Sequence, residues 1–414
     1  MIKSIKGMND ILPDDVHKWH SVEDKARYIF ELYGFSEIRT PLLEQTELFA
    51  RTIGEDTDIV GKEMYTFVDK NDTSVTLRPE ATASVLRAVI EHSLLNQDSI
   101  QKLYSMGPMF RYERPQKGRY RQFHQINVER LGEAGPLCDA ETIAMAYDLV
   151  DAIGLKNITL EVNSLGCQKC RPVFRKQLKE FLQEKRDMLC KDCSRRIETN
   201  PLRVFDCKET ACQEAIKDAP RIEDHLCGAC RRHFNDLLQT LDALGIPFHK
   251  APRLVRGLDY YVRTTFEIKA EGLGTQNAVA GGGRYDGLVK ALGGPDAPGV
   301  GFAFGMERAI MLMKEARPVN KGCFVVIQGG REIYRSAMVL ISDMRSSGLQ
   351  AQAVFEKSMK SQMKRADKLG YLVCAIIGET EVAKDMVTIR DMRTSSQVQV
   401  KRALAINKIK EMLA

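Results

Sequence analysis

Apolar and polar residues alternate most regularly between residues 121 and 129. Successive side chains of a strand point to opposite faces of its sheet, so this stretch predicts a strand with two unlike faces. Ile126 and Val128 mark the face that packs into a core. The other face is polar, so it is either solvent-exposed surface or the floor of a site, and alternation alone favours solvent exposure. That polar face carries Arg121, Phe123, Gln125, Asn127 and Glu129.

The segment before this strand, "KLYSMGPMFRYE", predicts a partner strand, and five cations lie from Arg111 to Arg121 in the connection. Pairing of the two strands would hold Arg111 beside Gln125 and Glu129. A guanidinium group is a fixed fork of donors that suits a phosphate, and a carboxylate is an acceptor that suits a cation. The neighbouring arginine therefore favours a site over plain surface.

Periodicity elsewhere in the first three quarters of the chain predicts a mixture of helices and strands. Helical spacing occurs at residues 14–33, where Pro13 suits the start and Gly34 the end, and again at 82–92 and 138–152. A hairpin is predicted to join 64–68 to 74–77. Further strands are predicted in "FSEIRTPLL", which Pro41 interrupts, and in "NITLEVN", "DYYVRTTFEIKA", "NAVAGGGRYDG" and "GVGFAFG", the last running into a helix.

The composition changes at "RPVNKG", residues 317–322, and a different pattern follows. Strands are predicted at 323–329, 349–356, 371–378, 386–391 and 397–401, with helices at 332–347, at 359–369 and from residue 403. This order is typical of a compact α/β module. The sequence therefore predicts a first domain at 1–319, interrupted by a cysteine-rich insertion at 164–240, and a second domain at 320–414.

Composition bounds the class of protein. The 414 residues are 44% hydrophobic and 28% charged, which allows a sizeable core and excludes a disordered chain. The formal net charge of +6 is compatible with a polyanionic partner without requiring one. The N-terminus lacks the apolar segment of a secretory signal, and no apolar run approaches the ~18 residues of a membrane span. We therefore expect a cytoplasmic protein that is not bound to a membrane.

Eight of the eleven cysteines lie between Cys167 and Cys230. In a reducing compartment such clustering points to metal rather than to disulfides. Four close pairs could form two tetrahedral zinc sites, in any of three combinations. Structural zinc is the favoured interpretation; reduced structural thiols, and redox or iron–sulfur chemistry, are the alternatives. The candidate ligands are Cys167, Cys170, Cys190, Cys193, Cys207, Cys212, Cys227 and Cys230.

Charged residues at element boundaries are further candidates. Glu80 follows a predicted strand and comes just before Thr82 at a helix start, so it is either a site residue or a simple helix cap. Arg256, in "LVRGLDYY", is either a site residue or a surface charge. Arg308 lies in the first turn of a helix, where the dipole disfavours a cation unless an anion is bound nearby. A solvated arginine is the alternative for Arg308.

Tyrosines and glycines complete the set of candidates. In "DYYVRTTFE" the predicted strand makes Tyr260 and Tyr261 neighbours, so only one of them is expected to face a given pocket. In "AGGGRYDG" three glycines shortly precede Tyr285 and permit close approach of the backbone. The run is neither a Walker A loop nor a G-x-G-x-x-G sequence.

Taken together and in this order, these stretches resemble class II aminoacyl-tRNA synthetases. "GFSEIRTPLLEQTELFAR" is similar to motif 1, "FRYERPQKGRYRQFHQINVE" to motif 2 and "GVGFAFGMERAI" to motif 3 of that class. "LVRGLDYY" and "GGGRYDGL" are similar to two stretches particular to histidyl-tRNA synthetases, and the module after about residue 320 resembles their anticodon-binding domain. The resemblance implies an α+β fold, in which helices flank the class II antiparallel sheet. It also implies a homodimer built partly through motif 1 and an insertion that contacts the tRNA acceptor arm.

The same resemblance implies an activity and the residues that perform it. The enzyme would activate L-histidine with ATP and Mg²⁺ and transfer histidine to tRNA(His). The ATP-binding residues would be Arg111 and Arg256 at the α-phosphate, Arg119 at the outer phosphates and Arg308 at the γ-phosphate, with Arg256, Arg111 and Arg308 catalytic. The histidine-binding residues would be Glu80, Thr82, Arg111, Gln125, Glu129, Arg256, Tyr260, Tyr261 and Tyr285. The candidate contacts to the tRNA acceptor end are Arg114, Gln116 and Arg121. No metal in the cysteine cluster is implied by the resemblance.

Two other function classes compete with the enzyme. A regulatory subunit of histidine biosynthesis built on the same fold typically lacks the anticodon module and loses the arginines, whereas Arg111, Arg256 and Arg308 are all present here. A general RNA-binding protein would not account for "LVRGLDYY" or for Glu129. The enzyme is therefore the favoured function.

Overall fold

The computed structural model describes residues 2–54, 57, 59–258, 260–274, 277–313 and 320–413. The chain forms two compact units, Met1–Met313 and Lys314–Ala414. The predicted domain boundary at 319/320 lies beside residues 314–319, which are not described, so it stays a prediction. In the described part of the chain, no helix combines the length and the apolar character that crossing a membrane requires.

The strands of the described residues are β1 (Ser36–Glu37), β2 (Leu43–Gln45), β3 (Tyr65–Val68), β4 (Ser74–Leu77), β5 (Gln101–Phe110), β6 (Gln122–Leu131), β7 (Ile158–Ser164), β8 (His249–Lys250), β9 (Val262–Ala270), β10 (Ala278–Arg284), β11 (Gly299–Gly305), β12 (Asn320–Gln328), β13 (Ala351–Ala353), β14 (Tyr371–Gly378), β15 (Met386–Asp391) and β16 (Gln397–Lys401). The helices are α1 (Pro13–Leu32), α2 (Thr46–Ile53), α3 (Thr82–Glu91), α4 (Leu94–Gln97), α5 (Pro136–Ile153), α6 (Arg171–Glu184), α7 (Lys191–Thr199), α8 (Thr210–Ala215), α9 (Gly228–Ala243), α10 (Leu288–Ala291), α11 (Met306–Leu312), α12 (Arg331–Ser346), α13 (Met359–Lys368), α14 (Glu379–Ala383) and α15 (Arg402–Leu413).

An eight-stranded sheet forms the centre of the first unit, in the order β1-β5-β6-β11-β10-β9-β7-β8. Neighbouring strands are antiparallel except for the pairs β1–β5 and β7–β8. Helices α1, α5 and α9 pack on the face that carries Ile126 and Val128, and both of these side chains are buried in the core. The expected antiparallel-rich sheet flanked by helices is confirmed, and its other face is left for a site.

Local signals set the bounds of the helices that cover this sheet. Pro13 occupies the first turn of α1, and Gly34 follows the helix with a φ of +75°. Proline is compatible with a helix start, where its missing N–H has no partner in any case, and glycine tolerates the left-handed conformation after a helix end. Helix α5 repeats the arrangement, with Pro136 at its start and Gly154 at its end.

A small sheet lies apart from the large one, in the order β2-β4-β3. The predicted hairpin is present in it, because Val68 of β3 pairs with Ser74 of β4. The segment "FSEIRTPLL" divides at the predicted interruption. Its first part, β1, pairs with β5 of the large sheet, and its second part, β2, pairs with β4.

The cysteine-rich insertion between β7 and β8 is built from the short helices α6, α7, α8 and the longer α9. Five buried cysteines, together with residues such as Phe174, Leu178 and Ile197, make up a separate small core. The sequence predicted no elements here, because cysteine pairs interrupt the apolar periodicity. The second unit holds a five-stranded sheet in the order β13-β12-β14-β15-β16. Its predicted strand at 349–356 is shorter in the structure, Ala351–Ala353.

Candidate active site

A cavity of about 310 Å³ opens on the face of the large sheet opposite the core. It collects side chains from widely separated parts of the first unit. Every residue that the sequence predicted to bind ATP or histidine lines it: Glu80, Thr82, Arg111, Arg119, Gln125, Glu129, Arg256, Tyr260, Tyr261, Tyr285 and Arg308.

Strand β6 supplies the floor of the cavity. Phe123, Gln125, Asn127 and Glu129 all line it, so this face is not the solvent-exposed surface that alternation alone favoured. Gly301 of the neighbouring strand β11 pairs with Glu129, and a Cβ atom at Gly301 would lie 2.5 Å from Glu129 Oε2. The glycine therefore leaves room for the carboxylate.

Glu129 is buried and held by two hydroxyl groups. The hydroxyl of Thr82 donates to its Oε1 at 2.7 Å, and the hydroxyl of Tyr285 donates to its Oε2. Burial, with a smaller contribution from the nearby Glu80 carboxylate, raises the pKa of Glu129 to about 8, although both hydroxyl groups favour the ionised form. The carboxyl group is thus fixed in position, and its pKa lies close to neutral pH.

Glu80 performs the helix-capping role that was one of its two interpretations, and it also lines the cavity. Its carboxylate accepts from the backbone N–H groups of Thr82 at 2.7 Å and Ala83 at 2.9 Å, at the start of α3. Burial raises its pKa despite these bonds. One residue therefore both begins the helix and contributes a second carboxyl group to the same end of the cavity.

The expectation that only one tyrosine of the adjacent pair faces the pocket is wrong. Strand β9 begins at Val262, so Tyr260 and Tyr261 precede it and do not alternate as strand residues. Both line the cavity, and their ring centroids are 4.6 Å apart. Tyr260 also meets the ring of Tyr285 edge-on at 5.8 Å. The three rings form an aromatic wall beside Glu129.

Arginines occupy the other end of the cavity. The Nε atom of Arg111 donates to the carbonyl of Pro79 at 2.9 Å, and its guanidinium lies 5.3 Å from the centroid of the Phe123 ring. Arg119 pairs with Glu113. Arg308 donates to the carbonyls of Gly118 at 2.9 Å and Ala278 at 2.7 Å, and burial lowers its pKa. The motif 2 loop and the motif 3 helix are thus joined through Arg308.

Arg256 lies between the two ends. Its Nη1 atom donates to Glu267 Oε1 at 2.6 Å, and its guanidinium carbon is 5.9 Å from the Tyr261 ring centroid. A Cβ atom at Gly281 would lie 2.5 Å from Nη1 of Arg256. The absence of a side chain at Gly281 therefore leaves room for the guanidinium of Arg256. The glycine run was predicted to permit close approach, and Arg256 is the group that approaches it.

The three candidate tRNA contacts lie outside the cavity. Arg114 and Gln116 are exposed, and the backbone of Gln116 pairs with that of Arg119 at the tip of the motif 2 loop. Arg121 was expected on the polar face of β6, but the strand begins one residue later. Its guanidinium instead stacks over the Tyr112 ring at 3.8 Å.

The cysteines form two groups of four, which decides between the three combinations. Within each group, all sulfur atoms lie within 4.8 Å of one another. Cys167 Sγ lies 3.6 Å from Cys170 Sγ and 4.0 Å from Cys227 Sγ, far beyond the ~2.05 Å of a disulfide. These separations are close to the ~3.8 Å expected between thiolates of a tetrahedral zinc site. Group 1 is Cys167, Cys170, Cys227 and Cys230, and group 2 is Cys190, Cys193, Cys207 and Cys212.

Sequence reasoning missed the cavity carboxylates Glu113, Glu267 and Glu307. Glu307 accepts from the backbone N–H of His124 and contacts its ring, which ties the motif 3 helix to β6. Glu113 and Glu307 stand within the motif 2 and motif 3 stretches, where the motifs could have drawn attention to them. Glu267 carries no such local signal, because only the pairing of β9 with β10 brings it to Arg256.

Sequence reasoning also missed a buried charge cluster on the core side of the sheet. Asp139 of α5 accepts from Arg284 Nε at 2.9 Å and contacts His233 Nε2 at 2.8 Å and Thr264 Oγ1 at 2.5 Å. Asp139 and Arg284 are completely buried. Arg284 is adjacent to Tyr285, so the cluster holds the strand end from which that tyrosine reaches Glu129.

A model of histidyl-tRNA synthetases matches residues 7–309 of this chain, and a model of the anticodon-binding domain matches residues 322–412. The chain belongs to the histidyl-tRNA synthetase family. It is therefore a class II aminoacyl-tRNA synthetase, an enzyme that joins histidine to tRNA. The family implies the use of ATP with Mg²⁺, and the two cysteine groups could in addition hold metal.

Relatives within the histidyl-tRNA synthetase family match almost the whole chain. The histidine–tRNA ligase of Syntrophotalea carbinolica is 53% identical over 399 residues, which cover 96% of this chain and 95% of that one. That of Geobacter metallireducens is 51% identical over 401 residues, 97% of each chain. The apo histidyl-tRNA synthetase of S. aureus superposes with a TM-score of 0.82 at 35% identity, covering 99% of this chain and 100% of the other.

Proposed function

We propose that the cavity is the site at which this enzyme activates L-histidine with ATP. Histidyl-adenylate and pyrophosphate would form there, and histidine would then pass to the 3′ end of tRNA(His) with release of AMP. The observation that carries the proposal is the division of a single cavity into an end with two buried carboxyl groups and an end with arginines. The first end suits an amino acid with an imidazole, and the second suits a triphosphate.

Histidine would lie beside the aromatic wall. Glu129 would accept a hydrogen bond from an imidazole nitrogen, with its orientation fixed by Thr82 and Tyr285. Glu80 and Gln125 would receive the amino and carboxyl groups of the substrate. Gln125 Oε1 is buried and has no hydrogen-bond partner among the described residues, so it is available to a ligand. A pocket built to hydrogen-bond an imidazole would reject apolar residues of similar size without a separate editing site.

ATP would lie along the arginines. Arg111 and Arg256 would bind the α-phosphate, Arg119 the outer phosphates and Arg308 the γ-phosphate. A carboxylate oxygen of histidine attacks the α-phosphorus, and the bond from that phosphorus to the bridging oxygen of the leaving pyrophosphate breaks. No side-chain nucleophile is required, so catalysis rests on positioning and charge stabilisation. ATP enters as its Mg²⁺ complex, and Glu113 and Glu267 are carboxylates near the arginines that could accept the ion or its water.

The tRNA would engage surfaces outside the cavity. We assign Arg114, Gln116 and Arg121 to the acceptor end of the tRNA and the insertion at 164–240 to its acceptor arm. The insertion belongs to the catalytic domain at 1–319, and the domain at 320–414 would bind the anticodon. A homodimer through motif 1 is supported by exposed apolar residues on or next to the small sheet. These are Leu42, Leu43, Phe67 and Val68. We place this enzyme in the cytoplasm, apart from membranes.

Each cysteine group would hold one structural zinc ion. In group 1 the backbone N–H of Cys227 donates to Cys170 Sγ at 3.1 Å, and in group 2 that of Cys190 donates to Cys212 Sγ at 3.1 Å. Such bonds favour thiolates, which are the form that binds metal. Elemental analysis of metal-replete protein should find about two zinc ions per chain, and substoichiometric zinc would contradict this assignment.

Histidine-dependent ATP–pyrophosphate exchange tests the assignment of the two ends. Glu129→Gln should raise the KM for histidine by about 10-fold or more with little change in the KM for ATP, and Arg308→Ala should do the reverse. Lys290→Ala, which removes an exposed cation paired with Asp296, is the matched control and should leave both constants unchanged. Parallel changes of both constants in both variants would refute the division of the cavity.

A further inference from the structure

Arg256 and Tyr261 lie at the two ends of a short segment whose described residues are 256–258 and 260–261, and the insertion contacts the backbone at both ends. Arg171 donates from its Nη2 atom to the carbonyl of Tyr261. Arg203 donates from its Nη1 atom to the carbonyl of Arg256 at 3.1 Å. Two arginines of the insertion therefore hold the two ends of the segment that lines the histidine end of the cavity.

Each of these arginines lies close in the chain to a different cysteine group. Arg171 begins helix α6 directly after Cys170 of group 1. Arg203 lies in the 3₁₀ turn Pro201–Asp206, which ends directly before Cys207 of group 2. The turn is braced further by an ion pair of 3.1 Å between Arg203 and Asp206. The position of each arginine thus depends on the geometry of the neighbouring cysteine group.

The insertion has little else to hold this geometry. Its separate core is small, and cysteine side chains make up a large part of it. A small core of this kind contributes little folding energy by itself, so bound metal would supply a substantial share. Without metal, no covalent bond links the four thiols of a group, since all eight cysteines are free.

The insertion is also joined to the strand that follows the segment. The backbone N–H of Leu165 donates to the carbonyl of Arg263 at 2.6 Å, and the N–H of Arg263 donates to the carbonyl of Gly166 at 2.8 Å. Cys167 of group 1 comes next in the chain. Group 1 is therefore attached directly to the backbone that emerges from Tyr261 and Val262.

We propose that the insertion, with metal in both cysteine groups, positions Arg256 and Tyr261 and so supports histidine activation itself, in addition to contacting tRNA. Arg171 and Arg203 are the positioning residues. The proposal rests on the roles assigned above to Arg256, Tyr261 and the zinc ions. If the insertion served RNA binding alone, changes in it would leave histidine activation without tRNA unaffected. An assay of activation without tRNA therefore distinguishes a positioning role from a role in RNA binding alone.

Pyrophosphate exchange without tRNA tests the proposal. Arg171→Ala and Arg203→Ala should each raise the KM for histidine by about 3- to 10-fold, with the KM for ATP changed by less than about twofold. Arg171→Lys and Arg203→Lys keep a donor and should recover most of the loss. Arg195→Ala is the matched control, because Arg195 lies in the same insertion, is about half exposed and pairs with Asp192 of its own helix.

Removal of metal provides a second test of the proposal. Chelation of the intact protein should raise the histidine KM as the arginine variants do, and zinc should restore it. Zinc content and thermal unfolding of each variant distinguish loss of the contact from loss of the insertion fold. An unchanged histidine KM in both alanine variants, at full zinc content, would overturn the proposal. Glu129→Gln in the same assay tests the histidine site separately, so failure of that assignment would be recognised on its own.

Discussion

The hydroxyl of Thr82 donates a hydrogen bond of 2.7 Å to the carboxyl group of Glu129. This contact joins the first turn of α3 to the floor strand β6, across the sheet face that the cavity occupies. It leaves the buried Glu129 with a fixed direction inside the cavity. A carboxyl group that is held this way can discriminate an imidazole from an apolar ring, because only the imidazole offers it a further hydrogen bond inside the cavity.

The raised pKa of Glu129 predicts a pH-dependent stability cost. Its pKa is about 8 in the folded protein against an ordinary value of 4.5, so between these values the folded state binds more protons than the unfolded state. Stability is therefore lost as the pH rises through this window. Glu129→Gln removes the cost, so its gain in Tm over the wild type should grow from pH 5 to pH 8.5. Thermal unfolding without ligands measures it, with the exposed Glu91→Gln as control; a gain that does not vary with pH would contradict the burial of an ionisable carboxyl group.

The close approach of Gly281 to Arg256 predicts an effect of a single methyl group. Gly281→Ala would place a Cβ atom 2.5 Å from Nη1 of Arg256 and displace the guanidinium. The kcat of exchange should fall by about 10-fold or more in Gly281→Ala. Arg256→Ala, which removes the guanidinium entirely, should lower it further, by roughly 100- to 1000-fold. Equilibrium binding of histidine should fall less than the rate in both variants.

The control for this variant is Gly330→Ala, since a Cβ atom at Gly330 meets nothing within 4 Å. Equal losses of histidine binding and of rate in Arg256→Ala would show that the arginine acts on the ground state. The assignment of Arg256 to the transition state would then be wrong.

The buried Asp139 cluster predicts a large loss of stability. Burial alone would raise the pKa of Asp139, but His233 and Arg284 lower it overall, so the carboxylate is ionised opposite a buried guanidinium. Asp139→Asn leaves the buried Arg284 with Asp286 as its remaining carboxylate partner and should destabilise the first unit by about 3 kcal/mol. Thermal unfolding measures this loss, and the exposed Asp236→Asn on α9 is the control. A Tm within a degree or so of the wild type would mean that the cluster does not hold the sheet.

Much of the fold was predictable because its signals are local. Alternation over residues 121–129 placed Ile126 and Val128 in the core and put Gln125 and Glu129 together on the other face. Proline and glycine at the ends of α1 set its bounds to within a residue or two. The chemistry of the cavity could be anticipated for the same reason, since its residues stand within recognisable stretches of sequence.

The remaining features depend on long-range pairing. Asp139 and Arg284 are 145 residues apart, and no local pattern connects them. The cysteine grouping depends on the tertiary contact between Cys170 and Cys227, which directly precede α6 and α9, so spacing alone left three combinations open. Tyr260 and Tyr261 both reach the cavity because β9 begins later than its apolar pattern suggested. In each case the tertiary structure, and not the local preference, decides the outcome.

Pyrophosphate exchange with each of the twenty amino acids, for the wild type and for Glu129→Gln, tests the central claim that this cavity selects and activates histidine through Glu129. We predict exchange above background with histidine alone in the wild type. In Glu129→Gln the kcat/KM for histidine should fall by about 10- to 150-fold, because the amide cannot carry the negative charge that strengthens a buried hydrogen bond from imidazole. Absence of histidine-dependent exchange in the wild type, or wild-type exchange with histidine in Glu129→Gln, would contradict it.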